Sequence, residues 1–410
     1  MDCLEERQVS QALILGRFLA FGRHAAAASP QPGRDARIDI IRGLALLVIF
    51  INHMPGNVLA GYTPHNFGFS DAADAFVLLA GVSAALAYGS LIDRHGLAFG
   101  IRRIARRLRT LYIAHIAVFL IVCGVVAAAV TRTQNPLYIE AINIQPFFSD
   151  TPTALLHALT LQYQPNYLDI LPLYVALLAS FPLIYLGVRL SPVLALILSA
   201  ALWQGAVFLE LNLPNTGSAG WFFNPFAWQF LFTMGVVIGR SRQLGVAAPH
   251  LRPLDIAAAG YLVFAVIVKT ASGNPFGIAA MNDWIDTVQL GMDKTNLGWE
   301  RVLHVAALAW LVIRFVPVGS AMVSSSAARL LAGLGRHSLE IFCTGIVLAI
   351  VGQVILTETA FALGVQLLVC AIGVTILIGL GVFLSWHHST SSRNAPAKPS
   401  LTLGASGPQR

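Results

Sequence analysis

The stretch RIDIIRGLALLVIFINH, Arg37 to His53, sets a carboxylate, a guanidinium and an imidazole around an otherwise apolar run. An apolar segment of about 20 residues is what a helix needs to cross a hydrocarbon core about 30 Å thick. At 100° per residue, Arg42 and His53 differ by roughly 20° in azimuth and about 16 Å along the helix axis. Asp39 lies within about 60° of both by the same geometry. The trio therefore shares one face of one helix. Ionisable groups in a membrane segment are costly and default to a functional reading. The plainer alternative is a snorkelling Arg42 with Asp39 as its i, i+3 ion partner, and His53 as an interfacial imidazole.

The rest of the chain has the same character. Of 410 residues, 56% are hydrophobic and 11% charged, where a soluble domain carries about 25% charged residues. The shortage extends over the whole length, which points to an all-α polytopic membrane protein rather than a globular domain with one anchor. Ten apolar runs stand near 38–55, 72–92, 110–130, 168–188, 191–211, 226–241, 254–271, 300–317, 338–356 and 360–386. The sequence thus predicts about ten transmembrane helices. Residues 1–33 read as an interfacial or disordered segment, 34–388 as the membrane domain and 389–410 as a disordered tail.

The net charge of +7 is mostly a topology signal. Basic residues crowd the N-terminal segment, DRHGLAFGIRRIARRLRT after the second run, GRSRQLGVAAPHLRP after the sixth, and the C-terminal tail. All of these fall on one side if both termini are cytoplasmic, leaving Arg132, Lys269, Lys294 and Arg301 near the other. That imbalance is the positive-inside pattern, so the charge needs no nucleic-acid partner. Cys3, Cys123, Cys343 and Cys370 show no paired spacing and indicate neither a disulfide framework nor a metal site. The non-cytoplasmic connections are rich in Asn, Gln, Tyr, Trp and Phe. Such side chains suit a sugar, through hydroxyl hydrogen bonds and ring stacking, as well as an interfacial aromatic belt.

The Arg-x10-His spacing of Arg42 and His53 resembles the signature of the membrane acyltransferase-3 superfamily. The segments NFGFSDAADAFVLLAGVSAALAYG, LQYQPNYLDILPLYVALL, WFFNPFAWQFLFTMGVVIGR and LGRHSLEIFC follow in order. With the first stretch, they resemble the OpgC family, which succinylates osmoregulated periplasmic glucans in Gram-negative bacteria. The resemblance runs from about Arg37 to about Leu384. It implies a multi-pass enzyme of the bacterial inner membrane, taking an acyl group from cytosolic acyl-CoA, a co-substrate, and placing it on a periplasmic glucan. By position, it implies His53 and Arg42 as the motif residues, and Arg103 and Arg106 as the basic pair. The wider superfamily often has Ser-Gly where this chain has Ala80-Gly81, so no hydroxyl is contributed there.

Chemistry then assigns roles. A neutral imidazole accepts the sugar hydroxyl's proton during attack on a thioester, which makes His53 the expected general base. A carboxylate commonly fixes the tautomer of such a base. Asp74 is the expected orienter, with Asp71 read first as a helix start. On the donor side, Arg102, Arg103, Arg106, Arg107 and Arg109 supply positive charge for the coenzyme A phosphates, since Arg forks suit phosphate oxygens. Arg103 and Arg106, with Asp39 and Glu340, are the expected acyl-CoA contacts, and Arg42 is expected to act with His53 from the pantetheine or thioester side. Asn66, Asp71, Asp169, Tyr174, Asn224, Trp228 and Gln229 are the acceptor candidates. The competing readings are a secondary transporter or flippase for a sugar or acylated glycan, and a membrane sensor. Transporters place ionisable groups near the midplane on broken, repeated helices, whereas these charges sit toward the ends of one span. A sensor needs a signalling domain, for which the connections are too short.

Overall fold

The computed structural model describes residues 35–216, 218–271 and 293–393. The expected N-terminal segment 1–33, Cys3, most of the connection 272–299 and most of the expected tail lie outside the described residues. All ten apolar runs form helices, and no β-strand occurs among the described residues.

In chain order the helices are α1 (Ala36–Asn52), α2 (Ala72–His95), α3 (Leu97–Thr133), the short α4 (Leu137–Ala141), α5 (Gln145–Ser149) and α6 (Thr151–Leu159), then α7 (Ile170–Leu190), α8 (Pro192–Phe208), α9 (Pro225–Gln243) and α10 (Arg252–Ala271). They continue with α11 (Trp299–Phe315), the short α12 (Ala321–Ser324), α13 (Ser326–Arg336), α14 (Ser338–Glu358) and α15 (Leu363–Arg393). Local chemistry sets several of these ends. The Asp35 side chain accepts a hydrogen bond from Arg37 N and opens α1. Ser191 caps α8 ahead of Pro192, and Asn224 caps α9 ahead of Pro225. Proline at the first helical position costs nothing, because its missing N–H would be unpaired there anyway.

Among the described residues, six helices are long and apolar enough to cross a membrane: α2, α3, α7, α10, α14 and residues Leu363–His388 of α15. They point to a membrane protein. Four expected spans fall short of that mark. Helices α1, α8 and α11 have 17 residues each, and α9 has 19 with Arg240 and Arg242 in its last turn. A 17-residue helix rises about 26 Å, just under the thickness of the hydrocarbon core. Helix α3, by contrast, has 37 residues and rises about 56 Å. Its N-terminal third carries Arg102, Arg103, Arg106, Arg107 and Arg109 as an extension of the apolar part.

Two close helix crossings fix the site. Helix α1 packs on α13: a methyl group at Gly43 would overlap the Leu331 carbonyl, and one at Gly335 would overlap that of Asp39. Helix α2 packs on α9 in the same way, through Gly81 against Phe232 and Gly235 against Leu78. Gly235 and Gly239 form a Gly-x-x-x-Gly face, the small-residue device that lets membrane helices approach backbone to backbone. Ala80-Gly81 thus serves packing. Phe50, Met54, Phe119, Phe181, Tyr185, Trp228 and Phe232 fill the common core. Leu183, Ile197, Leu198, Ile256 and Ile372 stay exposed on the outer faces, where lipid would solvate them.

Candidate functional site

His53 follows the last residue of α1, where the chain turns through Pro55 and Gly56; Gly56 takes φ 83°. The Asn57 side chain folds back and donates to the carbonyls of Ile51 (2.8 Å) and Met54 (3.1 Å), pinning this turn. The imidazole lies against the Tyr167 ring, with centroids 4.5 Å apart and planes at 46°. Tyr167 takes φ 72°, a left-handed conformation that a bulky residue seldom adopts and that clusters at functional sites. His53 Nδ1 is buried and makes no hydrogen bond. Asp71 and Lys294 are the charged groups whose fields reach the ring.

Those two belong to a charge cluster at the head of α2. Asp71 and Asp74 form a reciprocal capping box: Asp71 Oδ1 accepts from Ala73 N and Asp74 Oδ2 from Asp71 N, both at 2.8 Å. Arg301, in the first turn of α11, donates to Asp74 through Nε (3.2 Å) and through its terminal nitrogen (2.5 Å). The same guanidinium lies 3.3 Å from Asp71, and Lys294 Nζ lies 2.7 Å from Asp71. Burial pushes the Asp71 carboxyl up, but the Lys294 and Arg301 charges outweigh it and hold the group well below the usual carboxylate range. Next to this cluster, Ser70 Oγ is 2.6 Å from His304 Nδ1, both side chains buried.

Asp74, the expected orienter, is held within this cluster. Its two oxygens are taken by Arg301 and the Asp71 amide, because a fully buried carboxylate must be paired and hydrogen-bonded. Asp74 holds the outer charge cluster together.

At the other end of α1, the side chains reach across to neighbouring helices. Arg42 donates to Ser83 Oγ (2.6 Å) and to the Leu79 carbonyl (3.2 Å), and its guanidinium lies over the Phe76 ring. Arg42 is thus drawn onto α2. Asp39 is buried against α13, with Arg336 Nε 3.8 Å from its carboxylate. Arg336 is thus a cross-helix ion partner of Asp39. Nearby, Asp93 collects Tyr185 Oη (2.8 Å), Arg189 (3.5 Å) and Arg240, tying α2, α7 and α9 at the arginine-rich end. A cleft of about 380 Å³ opens at this end, lined by Arg107, Arg336, His337, Ser338, Leu339, Glu340, Ser385 and His388. The cleft includes the expected Glu340. Arg103 and Arg106 do not line it; they are exposed on α3.

The acceptor candidates divide. Asp71 and Asp169 stand with His53 in the outer cluster, Asp169 at the head of α7 within reach of the Lys294 charge. Tyr174 is half-buried one turn further along α7. Four others have structural work. Asn66 Nδ2 donates to the Ala60 carbonyl (2.7 Å), closing a turn. Asn224 donates to the Leu211 carbonyl (2.7 Å) and Asn296 Oδ1 (2.9 Å) and accepts from Phe226 N. Trp228 Nε1 donates to the carbonyls of Lys294 (3.0 Å) and Thr295 (3.2 Å). Gln229 exchanges hydrogen bonds with Ser199, donating to its carbonyl (2.8 Å) and accepting from its hydroxyl (2.6 Å). Asn224, Trp228 and Gln229 are buried with their polar groups satisfied by protein, so contact with a sugar would break existing bonds. Asn224 and Trp228 act on the site indirectly, by holding the loop that carries Lys294.

Arg301, Lys294 and Tyr167 are the groups that spacing and motif reading pass over. One signal in the sequence points to the first two. They are among the few basic residues on the side that the positive-inside pattern leaves poor in charge, and a cation there needs a local partner. Among the described residues, no group of three His, Cys, Asp or Glu side chains comes together as a metal site.

No curated protein and no solved structure matches the chain. A family model described as OpgC protein matches residues 34–389, from the residue before the described chain begins into the last helix. Such a match points to a membrane transferase of the acyltransferase kind. The chain belongs to the OpgC family.

Proposed function

We propose that this protein is an integral-membrane O-acyltransferase of the bacterial cytoplasmic membrane. It moves an acyl group, succinyl in our reading, from cytosolic acyl-CoA to a sugar hydroxyl of a periplasmic glucan. In this reading the ten helical runs all cross the bilayer, with both termini cytoplasmic. Of the four helices that fall short, α1 ends at His53, α11 carries Arg301 and α9 packs on α2, whereas α8 lies at the periphery with Ile197 and Leu198 on its outer face.

The observation that carries the reading is the layout of α1. One end lies beside a cleft rich in basic side chains, and the other ends at His53 beside the Asp71–Lys294 cluster. Asp39 and His53 stand 14 residues apart, about 21 Å along the helix. A donor held at one end and an acceptor at the other would meet along this single helix.

In the transfer, the imidazole of His53 takes the proton from the sugar hydroxyl as its oxygen attacks the thioester carbonyl carbon. The tetrahedral intermediate collapses with cleavage of the C–S bond, and the imidazolium returns the proton to the thiolate. The products are a sugar ester and free coenzyme A. Positive charge near the developing oxyanion lowers the barrier, and Lys294 is the cation whose field reaches His53. Tyr167 supports the ring from one side.

The test is transfer of a radiolabelled succinyl group from succinyl-CoA to periplasmic glucan by membranes containing the protein. His53→Ala should lower the rate by about 10²–10⁴-fold, the usual contribution of a general base, at equal protein level. Full activity in that variant would remove the mechanism. Unacylated glucan that still reaches the periplasm normally in a deletion strain supports the enzyme; loss of glucan export itself would favour a transporter.

A further inference from the structure

We propose that the cleft between α3, α14 and α15 seats the phosphate-bearing end of the acyl donor. Arg107 and Arg336 are its cations and His388 is a further polar contact, with Arg103 and Arg106 outside the cleft; this assignment rests on the acyl-transfer reading above. Four nitrogen-bearing side chains line the cleft (Arg107, Arg336, His337 and His388) against one carboxylate, Glu340. The two imidazoles are stacked, centroids 5.2 Å apart and planes at 19°, so they present a fixed surface rather than two loose side chains.

The cleft also receives the start of α14, a 21-residue helix whose first residues Ser338 and Leu339 line it and whose N-cap His337 makes no side-chain capping bond. The first-turn N–H groups of such a helix favour an anion. A volume of about 380 Å³ is within the range of small-ligand sites. Arg103 and Arg106, by contrast, do not line the cleft.

Geometry selects the kind of phosphate. Arg336 links the cleft to Asp39 of α1, and His53 lies about 21 Å further along that helix. A ligand anchored in the cleft reaches His53 only if a long flexible arm separates its phosphates from its reactive carbonyl. A nucleotide thioester with a pantetheine arm has that form; an inorganic phosphate or a lipid headgroup does not.

The test is calorimetric titration of coenzyme A into the full-length protein in nanodiscs of zwitterionic lipid. R107Q and H388Q are each expected to weaken binding at least tenfold, while R132Q, at the far end of α3, leaves it within twofold. R336Q should behave like R107Q, but it also releases Asp39, so R107Q and H388Q carry the reading. Binding unaffected by R107Q and H388Q, or a loss confined to R103Q or R106Q, would overturn the cleft assignment and leave the acyl-transfer reading intact. Repeating the titration in phosphatidylglycerol nanodiscs separates the two phosphate sources. If anionic lipid displaces coenzyme A in the wild type but not in R107Q, the cleft is a headgroup site and the proposal fails. A wild type that neither binds coenzyme A nor transfers acyl groups overturns the functional reading and this assignment together.

Discussion

Arg301 and Asp74 close two hydrogen bonds, at 3.2 and 2.5 Å, between side chains almost wholly removed from solvent. The pair joins the first turn of α11 to the first turn of α2, and Asp71 and Lys294 extend it toward His53. Breaking a buried pair by removing one partner leaves a charge with no compensation, at a cost of about 3–5 kcal/mol. Arg301→Met and Asp74→Ala should each lower thermal stability in detergent by that order. The double variant should lose less than the sum, because neither charge is then stranded. Fully additive losses would show that the two groups do not interact.

Acid should reveal the Asp71–Lys294 contact. Asp71 titrates below its unfolded value because Lys294 and Arg301 outweigh burial. A carboxyl lowered in this way contributes stability that is fully present above its unfolded pKa and lost as pH falls through the folded one. The Asp71 contribution to thermal stability should therefore be constant across neutral pH and fade only below the ordinary carboxylate range. Asp71→Asn should shrink that acid-side decline. A variant whose acid profile overlays the wild type would remove Asp71 as a contributor.

Lys294 should matter to turnover more than to binding. Lys294→Met removes the cation that faces the outer end of α1 and should lower kcat for acyl transfer, with the KM for donor unchanged and Lys294→Arg partly restoring the rate. Trp228→Phe keeps an aromatic side chain but deletes part of a fully buried ring system and the indole N–H donor to the Lys294 and Thr295 carbonyls. It should cost at least about 1 kcal/mol of stability and lower transfer in the same direction. A change in donor KM alone would move Lys294 out of the acceptor side.

The α2–α9 crossing predicts a packing failure of a different kind. Gly81→Leu or Gly235→Leu inserts a side chain where a carbonyl of the partner helix already stands. Neither helix can yield without opening the core around Phe232 and Leu78. Both variants should express poorly or elute as aggregates in size-exclusion chromatography, whereas Gly124→Leu, which meets open space, should elute normally.

Hydropathy alone located all ten helical runs, because each is a predominantly apolar stretch and a backbone in lipid must satisfy its own hydrogen bonds. Spacing within α1 put Arg42 and His53 at opposite ends of one helix, a consequence of 3.6 residues per turn that needs no partner. The sequence also marked Lys294 and Arg301 as misplaced cations, without saying what held them there. Only the tertiary structure decided the partners. Asp74 is as close to His53 in apparent depth as Asp71, yet packing of α11 against α2 gives it to Arg301, since a buried carboxylate goes to the guanidinium that can bind both its oxygens. Asp39 and Arg42, three residues apart, are drawn to α13 and α2 respectively by glycine crossings and a serine hydroxyl on other segments. The apolar pattern is a local property and is written in each helix. Ion pairs form between helices distant in sequence, and which pairs form depends on how the helices pack.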